Sequence, residues 1–245
     1  MMGISKTSTI ILLSAVLIGV AFTFGQYLPD VHGETVIYVY GTSGNDVIVV
    51  DETLSCVTVN NPDICIFEVD GSQSIEYIIY AGKGSDTITI IDGAGDDEYY
   101  IYDGPGNGVD SNTIYDGSGD DEYFIYMAGG DDSADIDDGL GNDVYFIYMA
   151  GGDDSAVIID DTGRDSYHVY GGGGNDVLTV TDTCSTDLYE FFGGSKVDTF
   201  SIADCTPDNP VPDTFHIFAE SSPTNPDNGD DGAKCPPGKP NHPKC

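Results

Sequence analysis

The chain has 245 residues, with 43 acidic against 7 basic side chains, a formal net charge of −36. That balance excludes a surface built to track phosphate, which rests on Lys and Arg, and it excludes docking on anionic lipid headgroups. There are 32 Gly, and 35 of the 43 acids are Asp; after residue 30 only Leu54, Leu140, Leu178 and Leu188 represent leucine. A helical protein wants the reverse, Leu and Glu with few Gly and Asp. The 40% hydrophobic share, rich in Ile, Val, Tyr and Phe, is too high for a disordered chain and suits strands. The composition therefore predicts an all-β protein with many Asp/Gly turns and a charge that calls for counter-ions.

Residues 1–25 open the chain with Lys6 ahead of an apolar run, Ile10 to Phe24. A basic start, a short apolar core and small residues make a signal-peptide pattern. Two fates fit: cleavage after Gly25, with Thr23 at the −3 position, or retention as a membrane anchor, for which the run is short against the ~20 residues of a span. Cleavage would remove Lys6 and take the charge from −36 to −37. Membrane association is expected only through this segment.

Residues 26–80 read as a β-rich N-terminal cap. Alternating runs at Val36–Tyr40, Val47–Val50, Cys56–Val59, Ile64–Val69 and Ile75–Tyr80 predict strands, and Asn60-Asn61-Pro62-Asp63 predicts a hairpin turn. A cap is needed wherever an open sheet edge would otherwise pair with other chains.

Residues 81–205 are repetitive. Asp116–Ile136 and Asp138–Ile158 match at 17 of 21 positions, offset by 22. Within each copy lies a half-period of 11, because the Asp closing each Gly-rich turn falls at Asp110, Asp121, Asp132, Asp143, Asp154, Asp165, Asp176, Asp187 and Asp198. Asp86 and Asp97 are also 11 apart, a 13-residue step joins Asp97 to Asp110, and Asp46 closes an outlying copy, Gly41–Asp46. With the turn Asp numbered 6, positions 8 and 10 share the inward face of a strand. Position 10 is an unbroken apolar column: Ile90, Ile101, Ile114, Ile125, Ile136, Ile147, Ile158, Val169, Val180, Phe191 and Ile202. Position 8 alternates Tyr (Tyr99, Tyr123, Tyr145, Tyr167, Tyr189) with other, mostly smaller residues such as Ala134 and Ala156, so bulk from one sheet can fill space left in the other. The buried hydroxyls need partners, and turn backbone at the roll edge is the expected one. Positions 9 and 11 point outward. In one sheet they place Tyr100, Tyr102, Phe124, Tyr126, Phe146, Tyr148, Tyr170 and Phe192 on a common outer stripe. This stripe is either covered by the chain's own ends or is a contact surface, with stacking of a polysaccharide as a further use.

The units Ala81–Thr89 (A-G-K-G-S-D-T-I-T), Asp138–Phe146 (D-G-L-G-N-D-V-Y-F) and Gly171–Thr179 (G-G-G-G-N-D-V-L-T) resemble the G-G-x-G-x-D-x-U-x nonapeptide of RTX, or haemolysin-type, calcium-binding proteins. The resemblance covers residues 41–50 and 81–203. It implies a right-handed parallel β-roll, turn then short strand, with calcium between stacked turns. The period differs, 11 residues per half-turn and 22 per coil against the family's nine, and the two extra residues are assigned to longer strands because the six-residue turn is intact. By resemblance the metal ligands are Asp46, Asp86, Asp97, Asp110, Asp121, Asp132, Asp143, Asp154, Asp165, Asp176, Asp187 and Asp198. Asp121, Asp143 and Asp165 would serve one edge of the roll, and Asp132, Asp154 and Asp176 the other. Short hard oxygen donors suit calcium, whereas zinc would want His or Cys. A few such Asp could instead only satisfy turn backbone.

From Thr206 to Cys245 nine Pro crowd the chain, predicting a disordered tail outside the sheet. Its last dozen residues hold Lys234, Lys239 and Lys244, either a solvated end or a basic clip for an acidic body. Six Cys behind an export signal read as disulfides, and proximity favours Cys56–Cys65, Cys184–Cys205 and Cys235–Cys245.

For function, the four His (His32, His168, His216, His242) are scattered, no G-x-S-x-G or H-E-x-x-H occurs, and carboxylates are too many to single out a glycosidase pair. The chain is not expected to be an enzyme. It is expected to be a secreted or extracellular calcium-binding β-roll that folds on calcium, with a structural, cell-surface or adhesive role. Its expected partners are calcium ions and a cell-surface protein or polysaccharide, or other copies of itself. A carbohydrate-binding module is the alternative. An ice-binding face would need an unbroken Thr ladder, which Asp135 and Val157 interrupt.

Overall fold

In the computed structural model, residues 10–14, 35–51, 56–60, 63–65, 74–183, 186–203 and 213–218 are described. In chain order the strands are β1 (Ile10–Ser14), β2 (Thr35–Tyr40), β3 (Val47–Asp51), β4 (Cys56–Val59), β5 (Asp63–Cys65), β6 (Ile75–Tyr80), β7 (Thr87–Ile91), β8 (Glu98–Tyr102), β9 (Ser111–Tyr115), β10 (Glu122–Tyr126), β11 (Ser133–Asp137), β12 (Val144–Tyr148), β13 (Ser155–Ile159), β14 (Ser166–Gly173), β15 (Val177–Thr181), β16 (Leu188–Ser195), β17 (Thr199–Ala203) and β18 (Thr214–Phe218). They form two sheets. One runs β1-β2-β6-β8-β10-β12-β14-β16-β18 and the other β17-β15-β13-β11-β9-β7-β3-β4-β5. From β6 to β18 successive strands alternate between the sheets and pair in parallel with the strand one coil away, as Tyr123 with Tyr145 and Ile136 with Ile158. The protein is a parallel β-solenoid with 22-residue coils.

The half-period resolves into a five-residue strand and a six-residue turn, as in Val144–Tyr148 followed by Met149–Asp154. Buried and outward residues alternate along each strand. The position-10 column is closed to solvent, with Ile101, Ile114, Ile136, Ile147 and Ile158 all at 0% exposure; each such Ile contributes roughly 1.5–3 kcal/mol of burial. Tyr99, Tyr123, Tyr145, Tyr167 and Tyr189 form a second inner column in the first sheet, their rings stacked at centroid spacings of 4.8–4.9 Å. Ala134 and Ala156 occupy the same position in the other sheet. Large residues therefore come from one layer and small ones from the other, which lets both columns close-pack.

Stacking at this spacing decides where Gly must stand. A Cβ on Gly141 would overlap the carbonyl oxygen of Gly119, one coil earlier, and crowd the Asp143 carboxylate. Gly152, at φ +154°, meets the carbonyl of Gly130 in the same way. At these two positions the turns pack backbone on backbone, leaving no room for a side chain. The two-residue insertion that lengthens the step from Asp97 to Asp110 is absorbed in the turn Asp103–Asp110, and β7 and β9 keep their register.

At the N-terminal end, β3, β4 and β5 form an antiparallel meander that places Cys56 opposite Cys65, within the reach of a disulfide on backbone grounds. Cys184, Cys205, Cys235 and Cys245 lie outside the described residues. Within the apolar N-terminal run, Ile10–Ser14 pairs in parallel with β2 as the edge strand of the first sheet; cleavage after Gly25 would remove that strand. No helix among the described residues is long and apolar enough to cross a membrane.

One strand forms where no sheet was expected. Thr214–Phe218, inside the Pro-rich segment, pairs with β16, and Phe215 stacks on Tyr189 at 5.0 Å. Asp213 accepts the Asp187 N–H at 3.2 Å and so takes the turn-Asp place. The Pro residues flank this strand without entering it, and its Phe/Ile alternation continues the inner columns past a longer connection.

Candidate metal centre

The alternation of strands sends the turn aspartates to two edges. Asp97, Asp121, Asp143, Asp165 and Asp187 line one; Asp46, Asp86, Asp110, Asp132, Asp154, Asp176 and Asp198 line the other. Each carboxylate except that of Asp46, which accepts from Thr42 and Asn60, has one oxygen committed to the neighbouring coil. Asp143 Oδ1 accepts the Asp121 N–H at 2.8 Å and Asp165 Oδ1 accepts the Asp143 N–H at 2.9 Å. On the other edge Asp154 and Asp176 accept from Asp132 and Asp154 at 2.8 and 3.0 Å. Satisfying turn backbone is thus a real role, but it uses half of each group. The second oxygens of Asp86, Asp97, Asp121, Asp132, Asp143, Asp154, Asp165 and Asp176 are buried and accept no hydrogen bond. A buried carboxylate oxygen without a donor is costly, so a proton or a cation is called for at each.

The two edges differ in the residue that opens the turn. On the Asp121 edge it is a second aspartate: Asp92, Asp116, Asp138, Asp160 and Asp182, four of them buried and Asp116 nearly so. Four groups result, Asp92 with Asp97 and Asp116, Asp116 with Asp121 and Asp138, Asp138 with Asp143 and Asp160, and Asp165 with Asp182 and Asp187. Within each group one oxygen per residue lies within 4.8 Å of the others. On the opposite edge the turn opens mostly with apolar residues or glycine, among them Ala81, Met127, Met149 and Gly171, with Met127 and Met149 fully buried. No such carboxylate group forms there among the described residues.

Tyrosine makes the crowded edge short of protons. Tyr145 Oη lies 2.7 Å from Asp138 Oδ2 and 2.8 Å from Asp160 Oδ2. Tyr167 bridges Asp160 and Asp182 at 2.8 and 3.0 Å, and Tyr99 bridges Asp92 and Asp116 at 2.8 and 2.6 Å. A hydroxyl carries one proton and can donate to one carboxylate only. The second contact needs a carboxyl proton or a cation beside it. These hydroxyls therefore partner the turn-opening carboxylates and not the turn backbone expected for them; side chain and edge are brought together by the seven-residue separation from Asp138 to Tyr145.

Electrostatics agree. Burial, reinforced by the adjacent turn-opening carboxylates, pushes Asp121 and Asp143 up to about 9 and Asp97 to about 8. Asp138 rises to about 7, again through burial first and then Asp116. On the other edge burial lifts Asp86, Asp132 and Asp176 to about 6 and Asp154 to about 7, the value that Asp165 reaches on the crowded edge.

All twelve turn aspartates predicted as ligands are buried at turns, and five of them fall on the crowded edge. The turn-opening aspartates were not singled out, although their recurrence at steps of 24 and then 22 residues was visible in the sequence. An all-oxygen, anionic donor set with no His or Cys fits a hard divalent cation.

The predicted aromatic stripe also exists on the outer face of the first sheet. Tyr100, Phe124, Phe146 and His168 stack at 4.7–4.9 Å. Tyr148, Tyr170, Phe192 and Phe218 stack beside them at 4.8–5.0 Å. Tyr102 and Tyr126 belong to the same outer column. Strands β1 and β18 extend this sheet and do not cover its face. Within these two runs the rings lie face to face, whereas Tyr126 and Tyr148 are tilted by 37° with centroids 5.9 Å apart, and Tyr102, Tyr126 and Tyr148 are exposed.

No protein-family model, curated protein or solved structure matches this chain.

Proposed function

We propose that the protein is a secreted, non-catalytic structural β-roll whose coils are clamped by a row of calcium ions along the Asp121 edge. The observation that carries this is that Asp97, Asp121, Asp143 and Asp165 each have a buried, unpartnered oxygen and each belong to a group of three carboxylates. Asp92, Asp116, Asp138, Asp160 and Asp182 would complete the donor sets, and calcium would supply the positive charge that the net −36 lacks. Without it, carboxylates stacked one coil apart repel. With it, metal affinity becomes folding free energy. The export-like N-terminal run, the even Cys count and calcium's abundance outside cells support an extracellular setting. The structure's acidic exterior and regular length suit a scaffold, cell-surface or adhesive role.

The test is a calcium titration of the chain followed by far-UV circular dichroism and calorimetry, with magnesium as control. A cooperative gain of β-signal at roughly 10⁻⁴–10⁻³ M calcium, the usual extracellular range, is expected. A chain fully β in chelator, with no heat of calcium binding, would overturn the proposal.

A further inference from the structure

Among the described residues, no strand closes the C-terminal end of the roll. Strand β18 pairs only with β16, and β17 only with β15, so each has one edge without a strand partner among the described residues. The inner columns end there too. Phe215 and Ile217 are only partly buried, whereas the same columns are at 0% exposure at Tyr145 and Ile147. Neither strand carries an acidic residue, Lys or Pro: they read Thr-Phe-Ser-Ile-Ala and Thr-Phe-His-Ile-Phe. Proteins usually blunt such edges with those residue types. On a body of charge −36, these two strands carry no charge of their own, and the acids beside them, Asp198 and Asp213, sit at the turns, so the strand edges are where two copies can approach at least electrostatic cost. The opposite end differs, because its second sheet stops at β5, three residues long and acidic.

We infer that the C-terminal end is a dimer interface occupied by a second copy of this chain, related by a two-fold axis parallel to the strands. The chain reverses at every turn, so strands of the two sheets run in opposite directions. A two-fold along the strands therefore sets β18 of one copy antiparallel to β17 of the other, and does so twice. Both strands have five residues. In the coil-to-coil ladder, Thr214 and Thr199 donate back to Asp187 and Asp176 of the preceding coils. In a parallel ladder alternate residues bond to opposite sides, so Phe215, Ile217, Phe200 and Ile202 direct their N–H and C=O groups to the free edge. These are also the inward-facing residues. Pairing Phe215 with Ile202 of the other copy, and Ile217 with Phe200, makes hydrogen-bonded pairs and continues the core across the joint. Two pairs per seam and two seams give about eight new backbone hydrogen bonds. The contact is isologous and closed, so it ends in a dimer and not a fibre.

In this register His216 faces Ser201 of the other copy on the outer surface, as a non-hydrogen-bonded pair, the kind whose spacing suits a disulfide. Within one chain the two residues lie on opposite sheets and cannot meet. The experiment is therefore sedimentation equilibrium of the full chain in calcium, together with oxidation of the S201C/H216C variant and of a register-shifted T199C/H216C control. A mass twice that of the 25.9 kDa chain is expected, with interchain disulfide forming in the first variant and not in the control. A second variant, Ile217→Pro, keeps the bonds to β16 and removes a free-edge donor; it is expected to give monomer with an unchanged circular dichroism spectrum. A monomeric wild-type chain overturns the inference, including the case in which deleting residues 219–245 makes it dimeric, since the chain's own tail would then hold that end. A dimer that bridges equally in both Cys variants also overturns it.

Discussion

Replacing a single turn aspartate by asparagine separates the two edges of the roll. Asp143 belongs to a three-carboxylate group and is pushed to about 9 by burial and by Asp138. Against an ordinary carboxyl near 3.8, holding it in the metal-free fold at pH 7 costs at most about 4 kcal/mol at ~1.4 kcal/mol per unit, and water at the turn reduces this to about 1–4 kcal/mol. Asp143→Asn keeps an oxygen for the Asp121 N–H and deletes that cost, so the chain in chelator becomes more stable by about 1–4 kcal/mol. In calcium at about 100 times the dissociation constant, one ion stabilises the fold by ~2.7 kcal/mol. The gain in stability from chelator to calcium should therefore shrink by about that amount in Asp143→Asn. Asp138→Asn, which removes a member of two groups, should lose about twice as much. Asp132→Asn, on the edge opened by Met127, should leave the calcium gain unchanged. Urea unfolding followed by far-UV circular dichroism, in EDTA and in calcium, measures all three. Equal loss of the calcium gain in Asp132→Asn and Asp143→Asn would refute the assignment of ions to one edge.

Three further outcomes are expected. In chelator the roll should be more stable at pH 5 than at pH 8: the folded carboxyls of Asp97, Asp121, Asp143 and Asp165 are raised to about 7–9, so they bind protons more tightly than the unfolded chain, and their contribution is complete below about 4 and lost as pH climbs through 7–9. Calcium should remove or invert this slope, which thermal melts across pH would show. Gly141→Ala should abolish the calcium-dependent β-signal or lower the melting temperature by well over 10 °C, because the new methyl overlaps the Gly119 carbonyl and the coils must part. Ile147→Ala, at a fully buried site in the position-10 column, should cost about 2–5 kcal/mol in the calcium form without altering calcium stoichiometry.

What the amino-acid sequence determined on its own is everything that repeats along one strand. The 11-residue step fixed strand and turn lengths, and alternation fixed which face is buried, since the side-chain period of an extended chain is two. The Ile column, the Tyr/Ala exchange between sheets and the outer aromatic stripe were therefore legible before any coordinates. Tertiary structure alone decided relations between coils. It set Asp138 and Asp160, 22 residues apart, on either side of the Tyr145 hydroxyl, and made five of the twelve turn aspartates crowded while most of the rest share their turns with Met, Ala or Gly, Asp110 with Asp103 being the exception. It turned most of the stripe's rings face to face, with Tyr126 and Tyr148 tilted against each other. It also recruited Thr214–Phe218 across a Pro-rich connection, where local propensity pointed away from sheet and only the exposed edge of β16, with Tyr189 ready to stack on Phe215, supplied the reason to form one.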